Sequence, residues 1–243
     1  MRLLHYCKRN ALTEGIQDAG IFKAAFLAGM PGSGKSYILS KVKSGSIEPR
    51  WVNTDKLFLD IFPQFKDNWE KNWGKISVKV KTINKNQLAL YINSMLPLAI
   101  DGTSNSVSVM LRRKGLLEGF GYSTAMIFIN TSLETALKRA SKRERVVAPE
   151  FIEQVYKQMN KAKSFYRKTF SNWIEIPNDS EQLTDEVILN AFKFMSGFYN
   201  SPIDNPVGKE YYDKMIENGW KYLSPNIRDL EEIKKVVSIW YKH

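Results

Sequence analysis

Gly29-Met30-Pro31-Gly32-Ser33-Gly34-Lys35-Ser36 fits G-x-x-x-x-G-K-[ST] at every position, and its surroundings decide the fold. Upstream, residues 21–28 form a short apolar run suited to a buried parallel strand; downstream, residues 37–42 can continue as a helix. A strand that turns through glycines into a helix makes a phosphate-binding loop, because backbone N–H groups wrap the anion at the positive end of the helix dipole. Gly29, Gly32, Ser33 and Gly34 supply the wrap, Lys35 can reach the β- and γ-phosphates, and the Ser36 hydroxyl can ligate Mg²⁺. A glycine-rich turn matching by chance would lack the strand before and the helix after. The stretch predicts an α/β P-loop NTPase fold that binds ATP or another nucleoside triphosphate with Mg²⁺.

The rest of the composition narrows the setting. A chain of 243 residues can bury a full core, and 43% hydrophobic with 25% charged residues is ordinary for a soluble globule. No apolar run approaches the length of a membrane span, and the apolar segment near the N-terminus is too short for a secretory signal. Cys7 is the only cysteine, which excludes an internal disulfide and a cysteine metal cluster. His5 and His243 stand at opposite ends, a poor supply for a histidine-ligated metal. These features predict a cytoplasmic protein with no membrane contact and no disulfide-linked partner. A net charge of +11 and a pI near 9.5 exceed what solubility needs and point to a polyanionic partner, with DNA the expected substrate. A scattered lysine-rich surface would give the same sum.

Outward from the loop, the pattern predicts a five-stranded parallel sheet flanked by helices. An N-terminal helix is expected within residues 1–20, a P-loop core over 21–180 and a C-terminal helical appendage over 181–243. The second strand, at Arg50-Trp51-Val52-Asn53, runs into Thr54-Asp55. In open α/β sheets ligands sit outside the carboxyl ends of the strands, so Asp55 is placed to accept a proton from an incoming hydroxyl. It can equally cap the following helix. Residues 60–87 are expected to be a substrate-binding insertion, with Lys75 and Lys79 among six lysines and Trp69 and Trp73 between them. Lysines interleaved with aromatics suit a groove that tracks a phosphate backbone and stacks a base, although tryptophans at i, i+4 also make a packed helix face. Residues 97–101 end an apolar strand in Asp101, whose carboxylate can contact Mg²⁺ directly or through water. Gly102-Thr103-Ser104-Asn105 adds a polar turn at the same edge, which an Asx-type turn alone would also explain. Residues 125–130 and 172–177 supply the last two strands, and Thr131-Ser132-Leu133-Glu134 reads as a capping box. Between the helix that follows and one opened by Pro149 lies an arginine-rich corner at about 138–150. It suits a lid that neutralises charge on a transferring phosphate, or else a solvated basic helix end.

Four segments together resemble the polynucleotide-kinase and zeta-toxin-like branch of P-loop kinases: GMPGSGKS at 29–36, NTD at 53–55, DGTSN at 101–105 and LKRASKRERVVAPEFIEQVYKQM at 137–159. The resemblance covers residues 21–178 and leaves the tail unmatched. It implies Lys35 and Ser36 on triphosphate and metal, Asp55 as general base, and Asp101 and Thr103 at the acceptor or the metal's water shell. It further implies Arg143 as the lid residue on the transferring phosphate, with Arg139 near the nucleotide. One position departs. Three residues after the base, polynucleotide kinases carry an arginine that grips the acceptor phosphate, and here stands Phe58. An apolar Phe58 beside the base, with a basic groove, suits an acceptor hydroxyl presented on a base rather than on a terminal sugar. Phage enzymes similar to this class phosphorylate the hydroxymethyl group of 5-hydroxymethyluracil in DNA, and here Phe58, Trp69 and Trp73 would stack the extruded base. Transfer to a 5′-hydroxyl, transfer to a nucleotide sugar, and an ATP-gated nucleic-acid-binding module are the competing expectations.

Overall fold

The computed structural model describes residues 20–42, 47–63, 69–102, 104–142, 148–179, 184–217 and 229–241. The N-terminal helix expected within 1–20 therefore lies outside the described residues, apart from Gly20. Five strands, β1 (Lys23–Ala28), β2 (Arg50–Val52), β3 (Leu98–Asp101), β4 (Ser123–Asn130) and β5 (Asn172–Pro177), pair in the order β2-β3-β1-β4-β5. Every pairing is parallel. The five-stranded parallel sheet expected from the sequence is present, with β1 at its centre.

Parallel strands need crossover connections, and helices lie on both faces. Along β1 successive side chains alternate. Ala24, Phe26 and Ala28 join one apolar cluster, whereas Ala25 and Leu27 join the other. The first face is covered by α3 (Trp69–Asn93), α4 (Val107–Gly119), α5 (Leu133–Ser141), α6 (Pro149–Thr169), α8 (Pro206–Glu217) and α9 (Leu230–Ser238). The second face is covered by α1 (Lys35–Val42) and α7 (Asp185–Asn200). The remaining helix, α2 (Thr54–Ile61), follows β2 and leans on α3 through a small cluster of its own.

Two expected regions take definite form here. The stretch at 60–87, expected as a substrate-binding insertion, is helical in most of its described part. From Trp69 it runs as the single 25-residue helix α3, whose later turns bury Leu88, Ala89 and Ile92 in the core. Before Leu88 the helix already buries Val80, which packs with Phe58 of α2. The C-terminal helices, expected as a helical appendage, pack directly on the sheet. The Tyr199 hydroxyl of α7 donates to the Leu98 carbonyl of β3 at 2.7 Å, inside the fully buried core. Trp240, just past α9, stacks on Phe26 of β1 and lies under the Arg113 guanidinium. Their helical spacing was legible, but only the three-dimensional packing puts them against the sheet.

The amino end of the sheet is closed by a buried cation. Lys23 at the head of β1 is 1% exposed, and its Nζ donates to Ser201 Oγ at 3.0 Å and to the Pro202 carbonyl at 2.7 Å. Burial lowers its pKa, and Asp204, 3.9 Å away, opposes that shift. Asn205 continues the closure, donating to the Glu118 and Tyr122 carbonyls while its Oδ1 receives the Val207 and Gly208 N–H groups.

If the tail is integral to the core, Trp240→Ala should cost about 3–5 kcal/mol, the range for truncating a large buried aromatic. Urea unfolding followed by circular dichroism measures it; a peripheral tail would give a change near zero.

Candidate functional site

The P-loop leaves β1 at Ala28 and enters α1 at Lys35, so its peptides sit at the carboxyl end of the central strand. Its shape depends on close backbone approach. Gly32 has φ +87°, and a Cβ there would meet the Ala136 carbonyl oxygen of α5 at 2.5 Å. Gly29, at φ +157°, would bring a Cβ within 2.6 Å of Ser33 Oγ. Lys35 is folded over this loop, with Nζ donating to the Gly29 carbonyl at 2.6 Å and the Met30 carbonyl at 2.9 Å, and 3.5 Å from Ser33 Oγ. A phosphate oxygen in the nest would compete for the same ammonium protons.

Asp101, ending β3 beside the loop, gathers two neighbours onto one oxygen. Its Oδ2 accepts from Ser36 Oγ at 3.0 Å and from Asn53 Nδ2 at 2.7 Å. Ser36 lies in the first turn of α1 and Asn53 is the cap of α2, accepting from the Lys56 N–H at 2.9 Å. A hydroxyl and a carboxylate oxygen side by side at a phosphate nest are hard donors of the kind Mg²⁺ takes, alongside phosphate oxygens and water. The residues present fit that ion.

Asp55 lies in the first turn of α2 and is exposed. Its strand, β2, is separated from β1 by β3 alone, so the helix that carries Asp55 and the P-loop both leave the carboxyl edge of the sheet, from strands two spacings or roughly 10 Å apart. Phe58 is different. It is fully buried and packs with Val80, Leu57, Phe62 and Ile76, which removes it as a surface on which a base could stack. It follows Asp55 by almost one helical turn but faces α3, and no periodicity in so short a helix signals that. Trp69 and Trp73 lie on α3, but their side chains and that of Lys75 are outside the described residues, as are Thr103 and Arg143. Lys79 is exposed, its Nζ 5.7 Å from the centre of the Phe62 ring.

The polar turn after β3 is braced from α6. Ser104 takes left-handed φ of +55°, its carbonyl accepts from the Tyr166 hydroxyl at 2.7 Å, and Asn105 Nδ2 donates to Gln158 Oε1 at 2.7 Å. On α5, Ser132 is the cap, accepting from the Thr135 N–H, so the cap sits one residue later than the box read from the sequence.

Arg139 is held at the far side of the loop by residues the sequence reading passed over. Its Nη1 donates to the Asn178 carbonyl at 3.1 Å, and its Nη2 lies 3.3 Å from Asn178 Oδ1. Asn178, 1% exposed, in turn donates through Nδ2 to the Ser33 carbonyl at 2.6 Å. Next to it, Asp179 accepts from the Ser132 N–H at 2.5 Å. Burial would raise the Asp179 carboxyl, but Ser132, Thr135 and the Arg139 guanidinium together hold it below its ordinary value. Burial lowers the Arg139 pKa, with Asp179 opposing. Asn178 and Asp179 follow Pro177 at the carboxyl end of β5, where the switch-edge rule applied to a fifth strand would have flagged them.

Gly32→Ala should cost about 1–3 kcal/mol in backbone strain, before any shift of α5. The expected outcome is a melting temperature lower by several degrees and loss of ATP·Mg²⁺ binding by calorimetry, with helix content unchanged.

Among solved structures, the chain is similar to one from the PezAT chromosomal toxin–antitoxin system of Streptococcus pneumoniae, at 20% identity and TM-score 0.47, over 88% of this chain and 94% of that one. It is also similar to deoxyadenosine kinase from M. mycoides with bound dATP, at 14% identity and TM-score 0.43, over 71% and 99% of the two chains. Shikimate kinase from Acinetobacter baumannii in complex with shikimate gives 16% identity and TM-score 0.43, over 73% and 93%. No curated protein matches the sequence. A family model described as an AAA domain matches residues 25–165, from β1 through most of α6, which is more than half of the chain. That span holds the phosphate nest, the Ser36–Asp101 pair and Asp55, and the chain belongs to the AAA domain family AAA_33.

Proposed function

We propose that this protein is an ATP-dependent phosphotransferase whose acceptor is a hydroxyl on nucleic acid, with the hydroxymethyl group of 5-hydroxymethyluracil in phage DNA as the specific acceptor. One observation carries the reaction class. Lys35, the Ser36–Asp101–Asn53 cluster and Asp55 stand along one carboxyl edge of the sheet. Asp55 would take the proton from the acceptor hydroxyl as its oxygen attacks the γ-phosphorus. The bond from phosphorus to the β–γ bridging oxygen breaks, and ADP leaves. Lys35 would give up its loop carbonyls for phosphate oxygens, and Asn53 would hold the Asp101 carboxylate in place. Mg²⁺ held by Ser36 and Asp101 would neutralise charge on the β- and γ-oxygens. Arg143, on the segment after α5, would serve the same charge from the lid side.

The acceptor class rests on charge. The net +11 is accompanied by exposed Lys157, Lys161, Arg167 and Lys168 on α6 and exposed Lys79 on α3. On α2, α4, α8 and α9 a lysine pairs with an acidic residue within one turn. Lys157 has Glu153 one turn before it and Lys163 pairs with Glu175, but Lys161, Arg167 and Lys168 have no acidic residue within one turn on α6. Phe58 stands where an acceptor-phosphate arginine would be expected for a terminal nucleotide, which favours an internal base as acceptor. Its burial leaves Trp69 and Trp73 as the remaining candidates for stacking that base.

Incubating a DNA oligomer containing 5-hydroxymethyluracil with protein, Mg²⁺ and γ-labelled ATP should place label on the base hydroxyl. Label at the 5′ end of unmodified oligomers, or on a nucleotide sugar without DNA, would replace the acceptor. DNA binding without transfer, unchanged in Asp55→Asn, would replace the enzyme with a binding module. Asp55→Asn should lower turnover by about 10²–10⁴, the usual worth of a general base, while ATP binding persists. Lys35→Ala and Arg143→Ala should each abolish turnover. Lys79→Ala should weaken DNA binding and reduce the salt slope by about 0.9.

A further inference from the structure

We infer that Asn178 is a positioning residue for the triphosphate nest, and that Arg139 acts on the nest through it. The inference rests on the nucleotide-binding reading above and is independent of the acceptor. Three observations carry it. First, Asn178 is almost completely buried, and each polar group of its side chain is directed: Nδ2 to the Ser33 carbonyl at 2.6 Å, Oδ1 to Arg139 Nη2 at 3.3 Å. Second, its backbone is fixed at both ends, its N–H donating to the Asn130 carbonyl at 2.8 Å and its carbonyl accepting from Arg139 Nη1 at 3.1 Å. Third, the Ser33 carbonyl belongs to the peptide that carries the Gly34 N–H, and the described chain contains no cis peptide bond.

The third point supplies the mechanism. In a planar trans peptide the carbonyl and the N–H point in opposite directions. A donor that holds the Ser33 carbonyl toward the end of β5 therefore turns the Gly34 N–H away from β5 and fixes the direction that N–H can offer to an anion. Gly34 has φ +90°, so its own dihedral preference does not hold that orientation. The amide of Asn178 supplies the restraint. A preset N–H costs no reorganisation when an anion arrives, which strengthens ground state and transition state alike. Arg139 makes two hydrogen bonds to Asn178, so it orients the amide whose other end grips the loop.

The test is steady-state ATP hydrolysis and ATP·Mg²⁺ calorimetry on the full chain, with Asn178→Ala, Asn178→Asp, Arg139→Met and the double variant Asn178→Ala/Arg139→Met. Asn178→Asp keeps the size and the acceptor for Arg139 but cannot donate to Ser33 when ionised. Both Asn178 variants should raise Kd and KM for ATP about tenfold, the effect of one buried hydrogen bond, with kcat within twofold. A purely structural defect would reduce the folded fraction, lowering apparent kcat and leaving KM unchanged. Arg139→Met should weaken binding on its own and add little in the Asn178→Ala background. A KM within twofold of the parent in Asn178→Asp overturns the inference, as does a loss confined to kcat. Additive effects would put Arg139 directly on the nucleotide and overturn its part. If the parent protein binds no ATP, the nucleotide-binding reading falls and this inference with it; if the parent binds and the variants match it, only this inference falls.

Discussion

Gly32 and the carbonyl of Ala136 are so close that no side chain fits between loop and helix. That contact is a constraint in both directions. It presses the phosphate loop against the backbone of α5, and it makes α5 part of the loop's wall rather than a neighbour. The wall is completed by Ile129, whose carbonyl lies 3.0 Å from where a Gly29 Cβ would stand. A loop of eight residues with three glycines at positive φ has little shape of its own. Its shape comes from being enclosed by β4, α5 and the end of β5. The nest is thus a product of the whole sheet, although its residues are contiguous in sequence.

Asp101 plays the corresponding part on the other flank. By accepting from Ser36 and Asn53 on one oxygen, it joins the start of α1 to the cap of α2. The start of α1, the cap of α2 and, through β3, the central strand are then referred to a single carboxylate. Movement of β3 relative to β1 would disturb all three together, which is the behaviour expected of a site built on strands rather than loops.

Much of this was legible because it is written in local pattern. The P-loop motif carries its own context, and the five strands lie where short apolar runs end in polar residues. Strand β5 matches its expected bounds, residues 172–177, because Pro177 stops it. What stayed hidden depends on which side a residue faces. Phe58 sits on a helix of eight residues, too short for a face to be read, and its burial against Val80 comes from α3. Asn178 is one asparagine among several at strand ends, and only its contacts across 145 residues to Ser33 give it a role. The C-terminal helices show clear periodicity, but periodicity says that a face is buried and not against what.

Lys23 has a bearing on the opposite end of its strand. A slip of β1 by one residue would exchange its two faces and carry the ammonium away from Ser201 and Pro202, stranding a charge in the interior. That penalty works as a register pin. Since Ala28 stands only five positions after Lys23, the pin also fixes where the chain leaves the sheet and begins to turn. The depth at which a triphosphate can settle is in this sense gauged from the sheet's amino edge, by an amine that never comes near it.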